Sequence, residues 1–151
     1  MQREIINNIN IIYGKIEELC TSVKRDKNEI TLIAVSKKKS HELIEIALNN
    51  GIENFGENYA QELKEKSFLI NSEKIIWHFI GPIQSNKVKI IANHADWIHS
   101  LEREKIIKKL DTECKKINKT INACLQVNIS NEESKSGCNP NDLIDLANLV
   151  E

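Results

Sequence analysis

Short apolar runs alternate with amphipathic segments along almost the whole chain, and this alternation constrains the fold more than any other feature. The runs that are typical of buried strands are residues 30–37, 52–55, 75–80, 96–99 and 121–129. Each run is followed by a segment with helical periodicity. Strict alternation of this kind predicts a parallel sheet covered by helices. Runs that are apolar throughout predict strands buried on both faces.

Helix start and stop signals support this division of the chain. The helix after the first strand is predicted to begin near Ser40 and to stop at Gly51. The next helices are predicted to reach Leu63, to cover 85–93, and to carry the apolar stripe of 106–117. A last helix is predicted with Asn139 as its cap, Pro140 at its first position and Asp142 near its positive end.

A further amphipathic helix is predicted before the first strand, over residues 2–24. Its apolar side chains recur in steps of three and four: Ile5, Ile9, Ile12, Ile16, Leu19 and Val23, widened by Ile6, Tyr13 and Cys20. This pattern indicates one broad buried face. Packing on its own domain is the favoured interpretation. A coiled-coil partner helix is the alternative, over only about three heptads.

The end of the sequence bears on the size of the fold. The last helix stays apolar up to Val150 and has no glycine cap, and no linker rich in Pro, Gly or Ser divides the chain. We therefore expect one α/β domain, residues 1–151, that is a partial TIM (β/α)8-type barrel of five parallel β/α units. A complete eight-stranded barrel needs about 250 residues, so we interpret the chain as the N-terminal part of a longer barrel.

Composition excludes several functional classes. The net charge is −1, so no overall field attracts nucleic acid or an anionic membrane. Neither a signal peptide nor an apolar run of membrane-spanning length is found in the sequence. No Cys-x-x-Cys pair and no histidine at zinc-finger spacing accompanies the cysteines, which are Cys20, Cys114, Cys124 and Cys138. We expect reduced thiols and a cytoplasmic location.

The segment Ala34-Val35-Ser36-Lys37 places an amine at the end of the first predicted strand. Burial and the neighbouring charges of Lys38 and Lys39 would both favour the neutral amine, which attacks aldehydes and can form a Schiff base. A solvated run of three lysines is the alternative. Strand alternation puts Lys37 on the face of Val35 and Ile33; if that face points into the barrel, Lys37 reaches its mouth.

Polar residues also follow the other predicted strands. In α/β barrels the functional rim lies at the C-terminal ends of the strands. The candidates for this rim are Glu57 and Asn58, Gly81 and the loop 84–87, His99 and Ser100, and Asn128, Ser130 and the loop 134–137. Five loops that meet on one rim indicate a site more strongly than any one residue does.

Four motifs in order and spacing resemble the pyridoxal 5'-phosphate homeostasis protein family (the YggS type), whose fold is like the barrel domain of alanine racemases. They are Ala34–Lys37, Asn54-Phe55-Gly56-Glu57-Asn58-Tyr59, the run from Trp77 to Lys87, and Gln126–Ser130 followed by Ser134-Lys135-Ser136-Gly137. The resemblance covers residues from about 30 to the end. It implies that pyridoxal 5'-phosphate is carried as a Schiff base on Lys37, without an established turnover reaction.

The resemblance also implies roles for other residues. Asn58 would lie near the cofactor ring, where its amide could bond a polar substituent, or it could be a helix-cap residue. His78 would line the site, although a packed core histidine is the favoured interpretation. Asn86 with Lys87 could organise the rim loop or form a solvated turn. Asn128 could line the mouth or end a strand.

Further expectations concern partners and activity. The family's phosphate cup lies late in the barrel, beyond this sequence, so we expect the 151 residues to bind the cofactor weakly at best. Apoenzymes that use the cofactor are the expected recipients, and the complete protein is expected to be a monomer. The alternatives are a racemase-like enzyme, which would need a second acid–base group opposite the lysine, and a partner-binding remnant or non-binding fragment with an unpaired strand edge.

Overall fold

The computed structural model describes residues 2–150. Helices and strands alternate along the chain, as predicted. The strands are β1 (Ile33–Val35), β2 (Asn54–Glu57), β3 (Ile76–Phe79), β4 (Trp97–Leu101) and β5 (Asn122–Leu125). The helices are α1 (Gln2–Ser22), α2 (His41–Leu48), α3 (Ala60–Leu69), α4 (Val88–His94), α5 (Glu104–Lys116) and α6 (Leu143–Ala147).

The five strands form one parallel sheet in the order β1-β2-β3-β4-β5. Each strand therefore pairs only with strands next to it in sequence, and each connection carries a helix. This arrangement confirms the prediction of an open, partial barrel of five β/α units preceded by a helix. Because all the strands run the same way, their C-terminal ends lie along one edge of the sheet.

Helices cover one face of the sheet. The side chains of Phe55, Trp77, Phe79 and Ile98 are buried on that face and belong to one core with residues of α3, α4 and α5. The opposite face is partly open: Val35 is 52% exposed and Ile76 is 36% exposed, although Gly56 and His78 on the same face are buried. The prediction that both faces are buried is therefore wrong. In a closed barrel the opposite wall fills this face, and five strands do not supply it.

Several predicted strands were too long or displaced. The first ends at Val35, because the chain turns at Lys37 and Lys38, and Lys38 adopts a left-handed φ of 58°. The second lies two residues later than predicted, and Glu57 is its last residue. The fifth ends at Leu125 rather than at residue 129. The chain after it forms a loop, in which the amide of Asn128 donates to the carbonyl of Cys138 and the amide of Cys138 donates to the carbonyl of Gln126.

Helix α1 buries less than its apolar stripe predicts. Ile9 and Cys20 are buried, but Leu19 is 65% exposed and Val23 is 69% exposed. The predicted broad buried face is thus a narrow one, because α1 contacts mainly α2 and the 3-10 turn Lys27–Glu29. None of the helices within residues 2–150 is both long enough and apolar enough to cross a membrane.

The last predicted helix is divided into two short pieces. Asn139 caps the segment as predicted, because its side-chain oxygen accepts a hydrogen bond from the amide of Asn141. A 3-10 turn, Pro140–Asp142, follows, and α6 is only five residues long.

A substitution at Gly81 tests the close approach of two strand ends. A Cβ at Gly81 would overlap the main chain of Asn58. We therefore expect Gly81→Ala to lower the free energy of unfolding by about 1–3 kcal/mol in urea denaturation. Gly14→Ala is the control: nothing lies within 4 Å of a Cβ there, and alanine in helix α1 should stabilise by about 0.5–1 kcal/mol. Equal stabilities of the two variants would contradict this packing.

Candidate functional site

The loops that follow the strands are joined to one another, each to the next, along the C-terminal edge of the sheet. The backbone of Asn58 after β2 packs against Gly81 after β3. Ser100 of β4 donates a hydrogen bond to the carbonyl of Gly81. Glu102 after β4 accepts one from the amide of Gly137, at 2.6 Å, in the loop after β5. The edge is therefore a continuous hydrogen-bonded and packed rim.

Lys37 occupies the first loop of this rim. It lies in the turn directly after β1 and is exposed, so the prediction that this lysine is buried is wrong: strand β1 ends two residues before it. The register Val35↔Gly56 continues through a hydrogen bond from the amide of Ser36 to the carbonyl of Gly56. Continued by two residues, that register places Lys37 level with Asn58. The two residues predicted to contact the cofactor most directly thus belong to adjacent strand ends.

A buried ion cluster lies behind this turn. Lys66 of α3 is almost completely buried, and its ammonium donates hydrogen bonds to Ser36 O (2.8 Å), Glu57 Oε1 (2.8 Å) and Glu62 Oε2 (2.9 Å). These three bonds use all three protons of an ammonium group. Glu57 also accepts from the hydroxyl of Ser36, and Glu62 accepts from the amide of Lys38 at 2.8 Å. The cluster therefore contacts the main chain on both sides of Lys37.

The two carboxylates of this cluster differ in their electrostatics. Burial raises the pKa of the Glu57 carboxyl above its usual range, although Lys66 and Ser36 both oppose this effect. Its Oε2 atom is buried and without a hydrogen-bond partner. Burial would also raise the pKa of Glu62, but hydrogen bonds from Lys66 and from the Lys38 amide outweigh it and lower the pKa. Glu62 is therefore the firmly ionised partner of Lys66.

A second polar group lies on the open face, one layer below the rim. His78 of β3 is bonded through Nε2 to Asn54 Oδ1 (2.8 Å) and through Nδ1 to His99 Nε2 (2.9 Å). An amide oxygen only accepts, so His78 carries its proton on Nε2 and accepts at Nδ1 from His99. The ring of Trp97 stacks on His78. This network fixes the tautomer of both imidazoles.

Protonation would break that network. Burial, with a smaller contribution from His99, lowers the pKa of His78 to about 4. Burial also lowers the pKa of His99. Both rings are thus held neutral near pH 7.

The predicted site residues are not all placed together. Lys37 and Asn58 follow the ends of the paired strands β1 and β2, and Asn86 is exposed in the turn before α4. His78 lies inside β3, and its two ring nitrogens are both bonded within the protein. Asn128 lies after the outermost strand, β5, and its amide nitrogen donates to the carbonyl of Glu132. It orders its own loop there.

Two rim predictions are wrong. Glu57 is fully buried on the helix-covered face, because strand alternation places it on the same side as Phe55. His99 lies in the middle of β4 rather than after it. Lys66 and Glu62, by contrast, were not identified from the sequence. The available signal was a lysine on the apolar stripe of α3, three residues after Leu63 and four before Ile70, with a glutamate four residues before it.

Comparison with known proteins places this fold and rim in a family. Residues 11–151 match the model described as "Alanine racemase, N-terminal domain". The chain belongs to the alanine racemase N-terminal domain family.

Particular relatives are longer than this chain. The pyridoxal phosphate homeostasis protein of Haemophilus influenzae is 43% identical over 149 residues, which cover 97% of this chain and 63% of that protein. A crystal structure of an unknown protein from Bifidobacterium adolescentis has a TM-score of 0.88 at 28% identity, over 99% of this chain and 64% of the other. The structure of PipY from Synechococcus elongatus PCC7942 with PLP bound has a TM-score of 0.73 at 31% identity, over 89% and 64%. The chain thus spans slightly less than two thirds of these relatives.

The imidazole network predicts a stability that depends on pH. An unfolded histidine has its usual pKa of 6.5, whereas that of folded His78 is about 4. The unfolded chain therefore binds more protons between these values, and stability falls as the pH decreases through this window. From pH 7 to about pH 4.5, we expect the wild type to lose about 2 kcal/mol more than His78→Gln in urea denaturation.

Leu110→Ala is the control for this measurement, because it destabilises the core without removing a titratable group. It should keep the wild-type dependence on pH. A His78→Gln variant that loses as much stability as the wild type over this range would contradict the neutral imidazole pair.

Proposed function

We propose that this chain binds pyridoxal 5'-phosphate covalently through Lys37 and takes part in the homeostasis of that cofactor. The observation that carries the proposal is the position of Lys37: an exposed primary amine, in a turn fixed on both sides, at the C-terminal edge of a parallel sheet. Membership of the alanine racemase N-terminal domain family supports it. So do the similarity to a protein named for pyridoxal phosphate homeostasis and the similarity to PipY with PLP bound.

The residues of this chain fit the aldehyde and the ring of pyridoxal 5'-phosphate. The aldehyde of the cofactor condenses with a neutral primary amine to form a C=N bond and release one water. Lys37 would provide that amine. Asn58, half-buried and level with it, would offer an amide to polar substituents of the ring. Asn86 and Asn128 would line the site from the rim loops, and His78 would line it from the layer below.

The phosphate needs anchors that these five strands do not include. In α/β barrels the phosphate site commonly follows strands seven and eight. We therefore propose weak binding by residues 1–151 alone, with the condensation at Lys37 as its main specific contribution.

We further propose that the protein carries the cofactor without turnover. Racemisation needs a second acid–base group that faces the lysine across the substrate. The two imidazoles below the rim are neutral and bonded to each other, so neither is offered as that group. The protein would act in the cytoplasm, where its four free cysteines remain reduced, and apoenzymes that require the cofactor would receive it.

Substitution of Lys37 tests the proposed function. The protein is incubated with excess pyridoxal 5'-phosphate and reduced with borohydride, and the adduct is located by peptide mass spectrometry. We expect one dominant reduced adduct, on Lys37, and a visible absorbance band before reduction. Lys37→Ala should lose at least about nine tenths of the adduct and of the absorbance band, because it removes the amine expected to carry them.

Lys38→Ala is the matched control, since it removes an adjacent exposed lysine and should retain the adduct on Lys37. Labelling spread evenly over the surface lysines of the wild type would overturn the proposal. Release of α-deuterium from alanine by the loaded protein would instead favour a racemase-like enzyme.

A further inference from the structure

We propose that Glu62 and Lys66 are positioning residues for Lys37: they hold the main chain on either side of it and so direct condensation to Lys37 rather than to Lys38 or Lys39. This inference rests on the proposed function of Lys37. It extends that function to two residues of α3 that have no direct contact with the proposed ligand.

The contacts of the cluster are made to the backbone of the turn. Lys66 Nζ donates to the carbonyl of Ser36 at 2.8 Å, one residue before Lys37. Glu62 Oε2 accepts from the amide of Lys38 at 2.8 Å, one residue after it. The Glu62–Lys66 bond of 2.9 Å joins these two contacts, so the turn is held by a single connected group.

The conformation of Lys38 explains why the turn needs to be held. Its φ of 58° lies in the left-handed region, which is unfavourable for an L-residue other than glycine unless local bonds compensate. The bond from its amide to Glu62 supplies such compensation. Without this bond the turn can relax, and the three consecutive lysines can exchange places at the rim.

Burial makes the cluster specific. The side chain of Lys66 is only 8% exposed, and that of Glu57 is not exposed at all. Removing one partner of a buried ion pair leaves the other charge buried and uncompensated, so Lys66 and its carboxylate partners are held together. By contrast, the exposed pair Glu104–Lys108 joins two residues of α5 and does not bond the turn of Lys37.

The test measures which lysine reacts. Each protein is incubated with pyridoxal 5'-phosphate and reduced, and the adduct at Lys37 is divided by the sum of those at Lys38 and Lys39. In the wild type this ratio should exceed one, whereas equal labelling of the three lysines gives one half. In Glu62→Met, which removes the acceptor of the Lys38 amide, it should fall by about tenfold, as expected for loss of a hydrogen bond to a charged group.

Two further variants sharpen the result. Glu62→Gln keeps an oxygen that can accept from the Lys38 amide, so it should restore most of the ratio. The double variant Glu57→Gln/Lys66→Met removes the buried charges together and the bond to Ser36, and its ratio should fall as in Glu62→Met. Glu62→Ser, too short to reach the amide, replaces Glu62→Met if that variant does not fold.

Controls separate positioning from a general loss of stability. Glu104→Met makes the same substitution in an exposed Glu–Lys pair on α5, and Leu110→Ala destabilises the core away from the turn. Both should keep the wild-type ratio. An unchanged ratio in Glu62→Met, or an equal fall in Leu110→Ala, overturns the inference while leaving Lys37 as the binding residue. A wild-type ratio of one or less overturns the proposed function itself.

Discussion

The hydrogen bonds of one buried ammonium group, Lys66 Nζ, determine how the first rim loop is arranged. They connect α3 with the ends of β1 and β2 through Ser36, Glu57 and Glu62. A charge in this position is costly to bury and is tolerated because every proton has an acceptor. The bond to Ser36 and the bond from the Lys38 amide to Glu62 hold the main chain on both sides of Lys37. The turn that carries Lys37 is therefore tied to the charge cluster behind it.

The covered face and the open face of the sheet carry different kinds of side chains. The covered face carries the apolar core, with Glu57 and Lys66 as its ionic exception. The open face carries a short hydrogen-bonded series of Asn54, His78 and His99, and burial lowers the pKa of both imidazoles. The charge cluster thus lies behind the turn of Lys37, whereas the imidazole series lies on β2, β3 and β4.

The sequence predicted the architecture better than the placement of individual side chains. Periodicity identified all five strands and their helices, since burial of one face imposes a pattern on every element. The pattern does not say which face of a strand the helices cover. Glu57 was predicted on the rim after β2, but β2 lies two residues later than predicted, and Glu57 is its last residue, on the covered face. The cluster around Lys66 escaped detection, since its partners are brought together only by the packing of α3 on the sheet. The role of Asn128 within its loop depends on contacts with residues 132 and 135, which no local rule predicts.

The strictly sequential strand order has a consequence for how the molecule is made. Each strand pairs with the one before it, after a connection of roughly twenty residues whose closure costs little entropy. Each strand pair is therefore completed within one β/α unit, and no strand pairs with one from the far end of the chain. As the polypeptide leaves the ribosome, every new β/α unit meets a template that is already present. The turn of Lys37 acquires its support as soon as α3 emerges, long before the last strand is synthesised.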